Sequence, residues 1–199
     1  MKQTALVIVD VQADFCSGGA LAVPDADAVI PVVNQLAGGF DLVFFTQDWH
    51  PRGHVSFASS HPGKALFSRM SLPYGEQILW PDHCVAETPG AGFHPGLKVP
   101  PTVKVVRKGM SPDRDSYSAF FENDRQTPVG LDALLREAGV REITLAGLAT
   151  DLCVLHTALD ARRLGYQVTV IEAGCRGIDT DGSLAAAWAQ MAAAGVRRA

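Results

Sequence analysis

The sequence lacks any long apolar run. The apolar segment near the start of its 199 residues ends at Asp10, which is too short for the apolar region of a signal peptide and far too short to span a bilayer. Strong charge is also lacking, because the formal net charge is −4 and no long Lys/Arg run occurs. Such a chain has no electrostatic footprint for nucleic acid or anionic lipid. We therefore expect a cytoplasmic protein with small-molecule partners, no nucleic acid and no membrane.

Paired cysteine motifs and a dinucleotide fingerprint are missing as well. The four cysteines are not spaced as CxxC and no secretory segment precedes them, so free thiols are expected and a structural zinc site built from cysteines is not. No GxGxxG follows the first apolar run, which argues against a dinucleotide-binding oxidoreductase.

Short apolar runs alternate with helical patterns along the chain, of which 47% is hydrophobic. Nearly continuous apolar runs predict strands buried on both faces; they are Ala5–Val9, Leu42–Thr46, Val103–Val106, Ile143–Ala146 and Val168–Ile171. Start and stop signals predict the intervening helices Ala26–Leu36, Leu131–Ala138, Thr150–Leu164 and Ser183–Ala194. This order predicts a single α/β domain over 1–199, a three-layer, Rossmann-like α/β/α fold with a central, mainly parallel sheet of five or six strands.

One region departs from this alternation. Residues from about 48 to 101 are rich in Pro, Gly, His and Trp and show little sustained periodicity. Long irregular segments inside compact domains are usually functional or disordered, and the aromatic content here favours order. We therefore expect this region to carry a metal site and part of a binding pocket.

Three chemically capable residues lie where predicted strands end. Asp10 closes the first strand, Lys108 lies just past the third, and Cys153 follows the fourth in a segment that opens a helix. Ligand crevices of open parallel sheets lie beyond the carboxyl ends of the strands, and helix dipoles and cations favour the thiolate. Each residue alone has a plainer interpretation: Asp10 as a cap, Lys108 as a surface charge, Cys153 as a small buried hydrophobe.

A second constellation combines one carboxylate with several imidazoles. Asp48 and His50 are two residues apart and face the same way in extended chain, while His54 and His83 follow in the irregular region. This donor set suits zinc, iron or manganese. Taken by itself, the spacing leaves open that these are ordinary loop histidines.

These residues belong to segments that together resemble a known family. From about residue 4 to 195 the chain is similar to the bacterial nicotinamidase/pyrazinamidase group of the isochorismatase-like cysteine hydrolases. The segments that carry the resemblance are Val9–Leu21, Thr46–Pro51, Ser56–Ala58, Trp80–Val85, Lys108–Gly109, Asp115–Phe121 and Gly147–Cys153.

The resemblance implies a role for each matching residue. It makes Cys153 the nucleophile, Asp10 the proton-transfer partner and Lys108 the cation of a catalytic triad, with the amides of Ala149 and Cys153 as an oxyanion hole. It also implies a cis peptide bond between Leu148 and Ala149. The implied metal ligands are Asp48, His50 and His83, with His54 a fourth candidate, and the implied substrate-binding residues are Phe15, Trp80, Tyr117 and Ala149.

The implied activity is conversion of nicotinamide to nicotinate and ammonia through a cysteine thioester, with pyrazinamide as a further substrate and NAD salvage as the role. The implied cofactor is one divalent ion, zinc first, with iron or manganese as alternatives. A homo-oligomer is left open, and a short sixth strand near the last residues would leave a sheet edge that such contacts could cover.

Other activities remain as competing interpretations. In a metal-dependent hydrolase a metal-bound water would attack and Cys153 would only pack. A non-catalytic binding protein on the same fold should lack a triad member, and none is missing. Isochorismatase or carbamoyl-amide hydrolase activity would share the triad but generally not the Asp48, His50 and His83 set.

Overall fold

A parallel six-stranded sheet forms the centre of the molecule. The computed structural model describes residues 3–101 and 103–199. The strands of the sheet are β1 (Gln3–Val9), β2 (Val43–Asp48), β5 (Lys104–Lys108), β6 (Val140–Leu148), β7 (Gln167–Arg176) and β8 (Arg197–Arg198). Their order across the sheet is β5-β2-β1-β6-β7-β8, and every neighbouring pair is parallel. The predicted parallel sheet is thus confirmed, with six strands.

Four α-helices cover the two faces of this sheet: α1 (Val29–Ala37), α2 (Leu131–Glu137), α3 (Leu155–Arg163) and α4 (Ser183–Ala193). The alternation of side chains along β1 sends Val7 into a core with α2, α3 and α4, and sends Leu6 into a second core with α1. All central strands are therefore buried on both sides, which explains their continuous apolar sequences. The predicted three-layer α/β/α arrangement is confirmed.

Two predicted helices begin differently from expectation. The first begins with a 3-10 turn over Ala26–Ala28 before α1, and the third begins with a π-helical turn over Thr150–Val154 before α3. A period of 3.6 residues does not separate these geometries from the α-helix over one turn. The π-helical turn is the segment that carries Cys153.

The irregular region contains a β-hairpin that the periodicity did not predict. Strands β3 (Arg69–Leu72) and β4 (Gly75–Ile78) pair antiparallel in a separate two-stranded sheet. Each strand has only four residues, and most of them are at least partly exposed. Such short strands give too few positions for an alternating apolar pattern to be recognised. The hairpin places the following residue Trp80 against Phe57 in an isolated parallel bridge.

The last strand is short, as expected. β8 contains two residues, which pair with Thr169 and Val170 of β7. Its arginines form exposed ion pairs with Glu142 and Glu172, and charge of this kind discourages further strand pairing at an edge. Within the described ranges, no helix is both long and apolar enough for a membrane crossing.

Candidate active site

The ends of four neighbouring strands deliver the chemically capable side chains to one place. Asp10 directly follows β1, Asp48 ends β2, Lys108 ends β5 and Cys153 follows β6 by a short segment. Asp48 and Lys108 are paired in register across β2 and β5. Because these strands are adjacent and parallel, their carboxyl ends lie at one edge of the sheet.

The ammonium group of Lys108 is the centre of this cluster. Its Nζ lies 2.9 Å from Oδ2 of Asp10, donates to Oδ1 of Asp48 and to the Ser116 carbonyl oxygen at 3.0 Å, and lies 3.3 Å from Sγ of Cys153. Although burial by itself disfavours the charged form, the carboxylates of Asp10 and Asp48 raise the pKa of Lys108 well above its usual range. Lys108 is therefore a permanent buried cation, and it brings the three predicted triad residues together.

The two carboxylate oxygens of Asp10 have different neighbours. The Thr46 hydroxyl donates to Oδ1 of Asp10 and accepts from its amide at 3.2 Å. Oδ2 is fully buried and faces the Lys108 ammonium at 2.9 Å. Burial, assisted by the nearby Asp48 charge, raises the pKa of Asp10 against the opposing effect of Lys108. A carboxylate with a raised pKa beside the thiol is suited to accept a proton.

The Cys153 thiol lies within reach of this carboxylate. Its Sγ and one carboxylate oxygen each of Asp10 and Asp48 lie within 4.8 Å of one another. Burial raises the pKa of the Cys153 thiol well above its usual range, and Lys108 opposes this only in part. The position before α3 favours the thiolate, whereas burial favours the neutral thiol. The thiol therefore needs a base, and Asp10 lies beside it.

The predicted cis peptide bond between Leu148 and Ala149 is confirmed. The carbonyl oxygen of Ala149 accepts from the amides of Leu152 and Val154, both at 3.1 Å. By contrast, the Ala149 amide N–H has no acceptor among the residues that the structure describes. It is thus a spare donor four residues before the thiol.

A set of three donors suited to a divalent metal lies beside the triad. Donor atoms of Asp48, His50 and His83 lie within 4.8 Å of one another. Nδ1 of His50 bonds the Gly109 carbonyl oxygen at 2.9 Å, and Nδ1 of His83 bonds that of Pro81 at 2.8 Å. Each contact occupies Nδ1 and leaves the other ring nitrogen, Nε2, for a metal, as is usual around protein-bound metals.

The ionisation of His83 and the close packing around His50 also favour a metal site. Burial and the neighbouring His50 lower the pKa of His83 to about 4, which keeps this imidazole neutral, the form that binds metal. Gly109 has φ of +64°, and a Cβ there would lie 2.4 Å from Cε1 of His50. Only glycine fits this approach, so the chain itself fixes the His50 ring. The residues present fit one divalent ion.

His54 is placed differently from the other three candidates. Its Nδ1 bonds the Ser56 hydroxyl at 2.7 Å and its Nε2 bonds the Arg114 carbonyl oxygen at 3.0 Å. Both ring nitrogens therefore have protein partners, while the ring stacks on His50 with centroids 4.3 Å apart. This arrangement favours a role for His54 in orienting the His50 ring over a role as a direct metal ligand.

A narrow pocket opens over Cys153. All four predicted substrate-binding residues line this pocket, together with further apolar side chains, two metal donors and Asp115. The lining residues are Phe15, Leu21, Val23, Asp48, Trp80, His83, Asp115, Tyr117, Ala149, Leu152, Cys153 and Ile178. Nε1 of Trp80 donates to the Tyr117 hydroxyl at 3.2 Å. The thiol and the metal donors thus face one pocket with aromatic walls.

Asp115 is the charged pocket residue that no sequence argument selected. One of its oxygens lies within 4.8 Å of donor atoms of His50 and His54, and its side chain is buried. Its sequence signal was its place at the start of Asp115–Phe121, two residues before the predicted pocket residue Tyr117.

Comparison with known proteins identifies the family. The model of the isochorismatase domain matches residues 4–198. The chain belongs to the isochorismatase family. A nicotinamidase from Acinetobacter baylyi is 50% identical over 201 residues, covering 100% of this chain and 94% of that protein. This isochorismatase-family chain is therefore an amidohydrolase.

Solved structures give the same answer. A nicotinamidase/pyrazinamidase from Acinetobacter baumanii superposes with a TM-score of 0.97 at 51% identity, covering 100% of this chain and 96% of that one. A pyrazinamidase from Pyrococcus horikoshii, solved in complex with zinc, has a TM-score of 0.80 at 33% identity, covering 99% and 98% of the two chains. The isochorismatase-like fold is thereby established.

Proposed function

We propose that this protein hydrolyses nicotinamide to nicotinate and ammonia through a thioester on Cys153, and that pyrazinamide is a second substrate. The observation that carries the proposal is the contact of one buried ammonium, that of Lys108, with Asp10 and with Cys153 at the base of an aromatic pocket. The nicotinamidases with high identity to this chain support the choice of substrate.

In the first half-reaction the thiol proton moves to Asp10 as Sγ of Cys153 bonds to the carboxamide carbon. Lys108 stabilises the negative charge on the sulfur, because its ammonium is 3.3 Å away in a buried site. The spare amide of Ala149, together with that of Cys153, would receive the carbonyl oxygen as it becomes negative. Asp10 then gives the proton to the amide nitrogen as the C–N bond breaks, and ammonia leaves.

In the second half-reaction water attacks the thioester. Asp10 takes one proton from this water and gives it to the departing sulfur, which restores the thiol; the acid product gives its remaining proton to solvent and leaves as nicotinate. The same carboxyl group thus acts as base and acid in turn. Its raised pKa, which burial causes, matches this double use.

The aromatic walls and the metal donors would hold the substrate ring. Phe15 and Trp80 supply faces for a planar heteroaromatic ring, and Tyr117 closes the pocket beside Trp80. A divalent ion held by Asp48, His50 and His83 would supply a ligand position for the ring nitrogen, with zinc first and iron or manganese as alternatives. The zinc complex of the Pyrococcus horikoshii pyrazinamidase supports this choice.

The biological role that follows is the return of nicotinamide to NAD synthesis in the cytoplasm, by one domain that spans residues 1–199. The partner would be the small-molecule substrate, and a homo-oligomer stays open.

The test is an ammonia-release assay on nicotinamide. We expect Cys153→Ala to lose at least about 10³-fold in kcat, while chelation of the metal mainly raises KM. Cys175→Ala is the matched control, because Cys175 is also buried but lies on β7 outside the pocket. A fully active Cys153→Ala protein would reject the nucleophile and favour direct attack by water.

A further inference from the structure

A fully buried glutamine on the hairpin contacts both sides of the pocket. Gln77 lies on β4, and none of its surface is exposed to solvent. We propose that Gln77 is a positioning residue, which holds Asp115 on the metal side of the pocket and Tyr117 on the ring side in fixed relative positions. This inference rests on the proposed function, since it concerns the substrate pocket of the same reaction.

The contacts of the Gln77 side chain use its full hydrogen-bonding capacity. Nε2 lies 2.9 Å from Oδ2 of Asp115, 3.0 Å from the Tyr117 hydroxyl oxygen and 2.8 Å from the carbonyl oxygen of Ile78. Oε1 accepts from the Tyr74 hydroxyl at 3.1 Å and from the Asn123 amide at 3.4 Å. Two hydrogens therefore serve three acceptors, and no donor remains for water.

These neighbours allow only one orientation of the amide. A carboxylate accepts but does not donate, so rotating the amide by half a turn would place Oε1 of Gln77 against the Asp115 oxygen. The same rotation would turn NH₂ of Gln77 toward the Asn123 amide, which also donates. The position of Nε2 between Asp115 and Tyr117 is thus fixed by the chemistry of the surrounding groups.

The two residues that Gln77 joins belong to different parts of the site. The Tyr117 hydroxyl also accepts from Nε1 of Trp80 at 3.2 Å, so it is linked to an aromatic wall. Asp115 lies with His50 and His54 in the group whose donor atoms are within 4.8 Å. Gln77 therefore links the aromatic walls to the imidazole cluster through side-chain hydrogen bonds.

This position predicts which kinetic constant depends on Gln77. Its amide touches neither the thiol nor Asp10, so the chemical step should not depend on it. The amide does set the distance between the aromatic walls of the pocket and the side that carries the metal donors. The substrate ring would lie between these two sides. Loss of the amide would remove one hydrogen bond each from the buried Asp115 carboxylate and Tyr117 hydroxyl, and ring binding should weaken.

The decisive variant is Gln77→Met, which keeps the length and volume of the side chain but has no amide. We expect KM for nicotinamide to rise about tenfold while kcat stays within about threefold, as for the loss of one or two buried hydrogen bonds. Ser71→Ala on the same hairpin is the control, because Ser71 is exposed and lies outside the pocket. An unchanged KM in folded Gln77→Met, or a loss confined to kcat, would overturn the proposal.

A double-variant cycle separates positioning from general weakening of the fold. If Gln77 acts through the Tyr117 hydroxyl, adding Tyr117→Phe to Gln77→Met should raise KM by less than about twofold more. Independent, multiplicative effects of the two substitutions on KM would contradict this coupling. Should Gln77→Met fail to fold, Gln77→Asn keeps the amide but shortens its reach, and the same rise in KM is required of it.

A readout without turnover keeps this inference separate from the proposed function. Acrylamide quenching of tryptophan fluorescence should increase in Gln77→Met and not in Ser71→Ala, because Trp80 is tied to Gln77 through Tyr117. Unchanged quenching would reject the positioning role even if nicotinamide were not the substrate. A wild-type protein that releases no ammonia from nicotinamide would reject the proposed function instead.

Discussion

At the level of single residues, Lys108 is the buried cation that pairs with the acidic groups of the site. Its side chain is fully buried, and so is that of Asp10 with which it pairs. A buried charge is tolerated only where opposite charges and hydrogen bonds replace water. Lys108 meets this condition through Asp10, Asp48 and the Ser116 carbonyl oxygen. The same ammonium that would stabilise a thiolate also holds two strand ends together.

Removal of this cation should therefore destabilise the fold. Lys108→Met leaves two buried carboxylates without their counter-ion, so the free energy of unfolding should fall by about 3–5 kcal/mol. Urea denaturation measures this change. Lys104→Met on the same strand is the control, because Lys104 is half-exposed and its pair with Glu137 is 3.8 Å long; a change below about 1 kcal/mol is expected there. Equal stabilities of the two variants would contradict this account of Lys108.

Single residues also differ in how far they could be predicted. Asp10, Lys108 and Cys153 follow predicted strands, so the sheet geometry alone places them at one edge. The Asp48, His50 and His83 set was predicted from donor types and from family resemblance. Gln77 and Asp115 were not selected as site residues, because an isolated buried polar residue in an irregular region gives no periodic signal.

At the level of elements, the loop between β5 and α2 brings Asp115 and Tyr117 into the pocket, and a turn around Asp124 stabilises it. Oδ1 of Asp124 accepts from the amides of Gln126 and Thr127, both at 2.9 Å. Oδ2 accepts from the Thr127 hydroxyl at 2.6 Å and from Arg114 at 2.7 Å. One carboxylate thus closes the turn and anchors an arginine.

These contacts make the turn sensitive to acid. Although burial opposes the charged form, the hydrogen bonds from Thr127, Gln126 and Arg114 hold the pKa of Asp124 well below its usual range. A folded-state pKa below the unfolded value means that the stabilisation is present above about pH 4 and is lost as the pH falls further.

We therefore expect Asp124→Ala to lower the free energy of unfolding by about 1–2 kcal/mol at pH 7, a modest value because solvent screens the group. The difference from wild type should narrow below about pH 4, as urea denaturation over a pH series would measure. Asp113→Ala is the control, since 76% of the Asp113 side chain is exposed. If the stability difference between wild type and Asp124→Ala widened in acid, the pKa of Asp124 would be raised by folding and this account would be wrong.

At the level of the whole molecule, stability depends on two apolar cores on opposite faces of one sheet. Leu145 on β6 is fully buried in the core formed with α2, α3 and α4. Because the core is closely packed, replacing such a side chain by a smaller one leaves a cavity. Both cores share the backbone of the same central strands, so damage to either should lower the stability of the whole sheet.

Leu145→Ala should accordingly cost about 2–5 kcal/mol of unfolding free energy. Leu66→Ala removes the same atoms from a side chain that is 53% exposed, and should change stability by less than about 0.5 kcal/mol. The midpoint of urea denaturation should shift for Leu145→Ala with little change in slope. Comparable shifts in both variants would mean that burial in this core does not determine stability.

The sequence by itself determined the alternation of strands and helices, the parallel sheet and the residues at its carboxyl edge, because burial on both faces requires continuous apolar strands. Only the tertiary structure decided the surroundings of Cys153, since burial raises the pKa of its thiol more than Lys108 lowers it. Packing also decided the hairpin and the links through Gln77, whose neighbours come from distant parts of the chain. Such contacts depend on how the layers meet, and no local pattern encodes them.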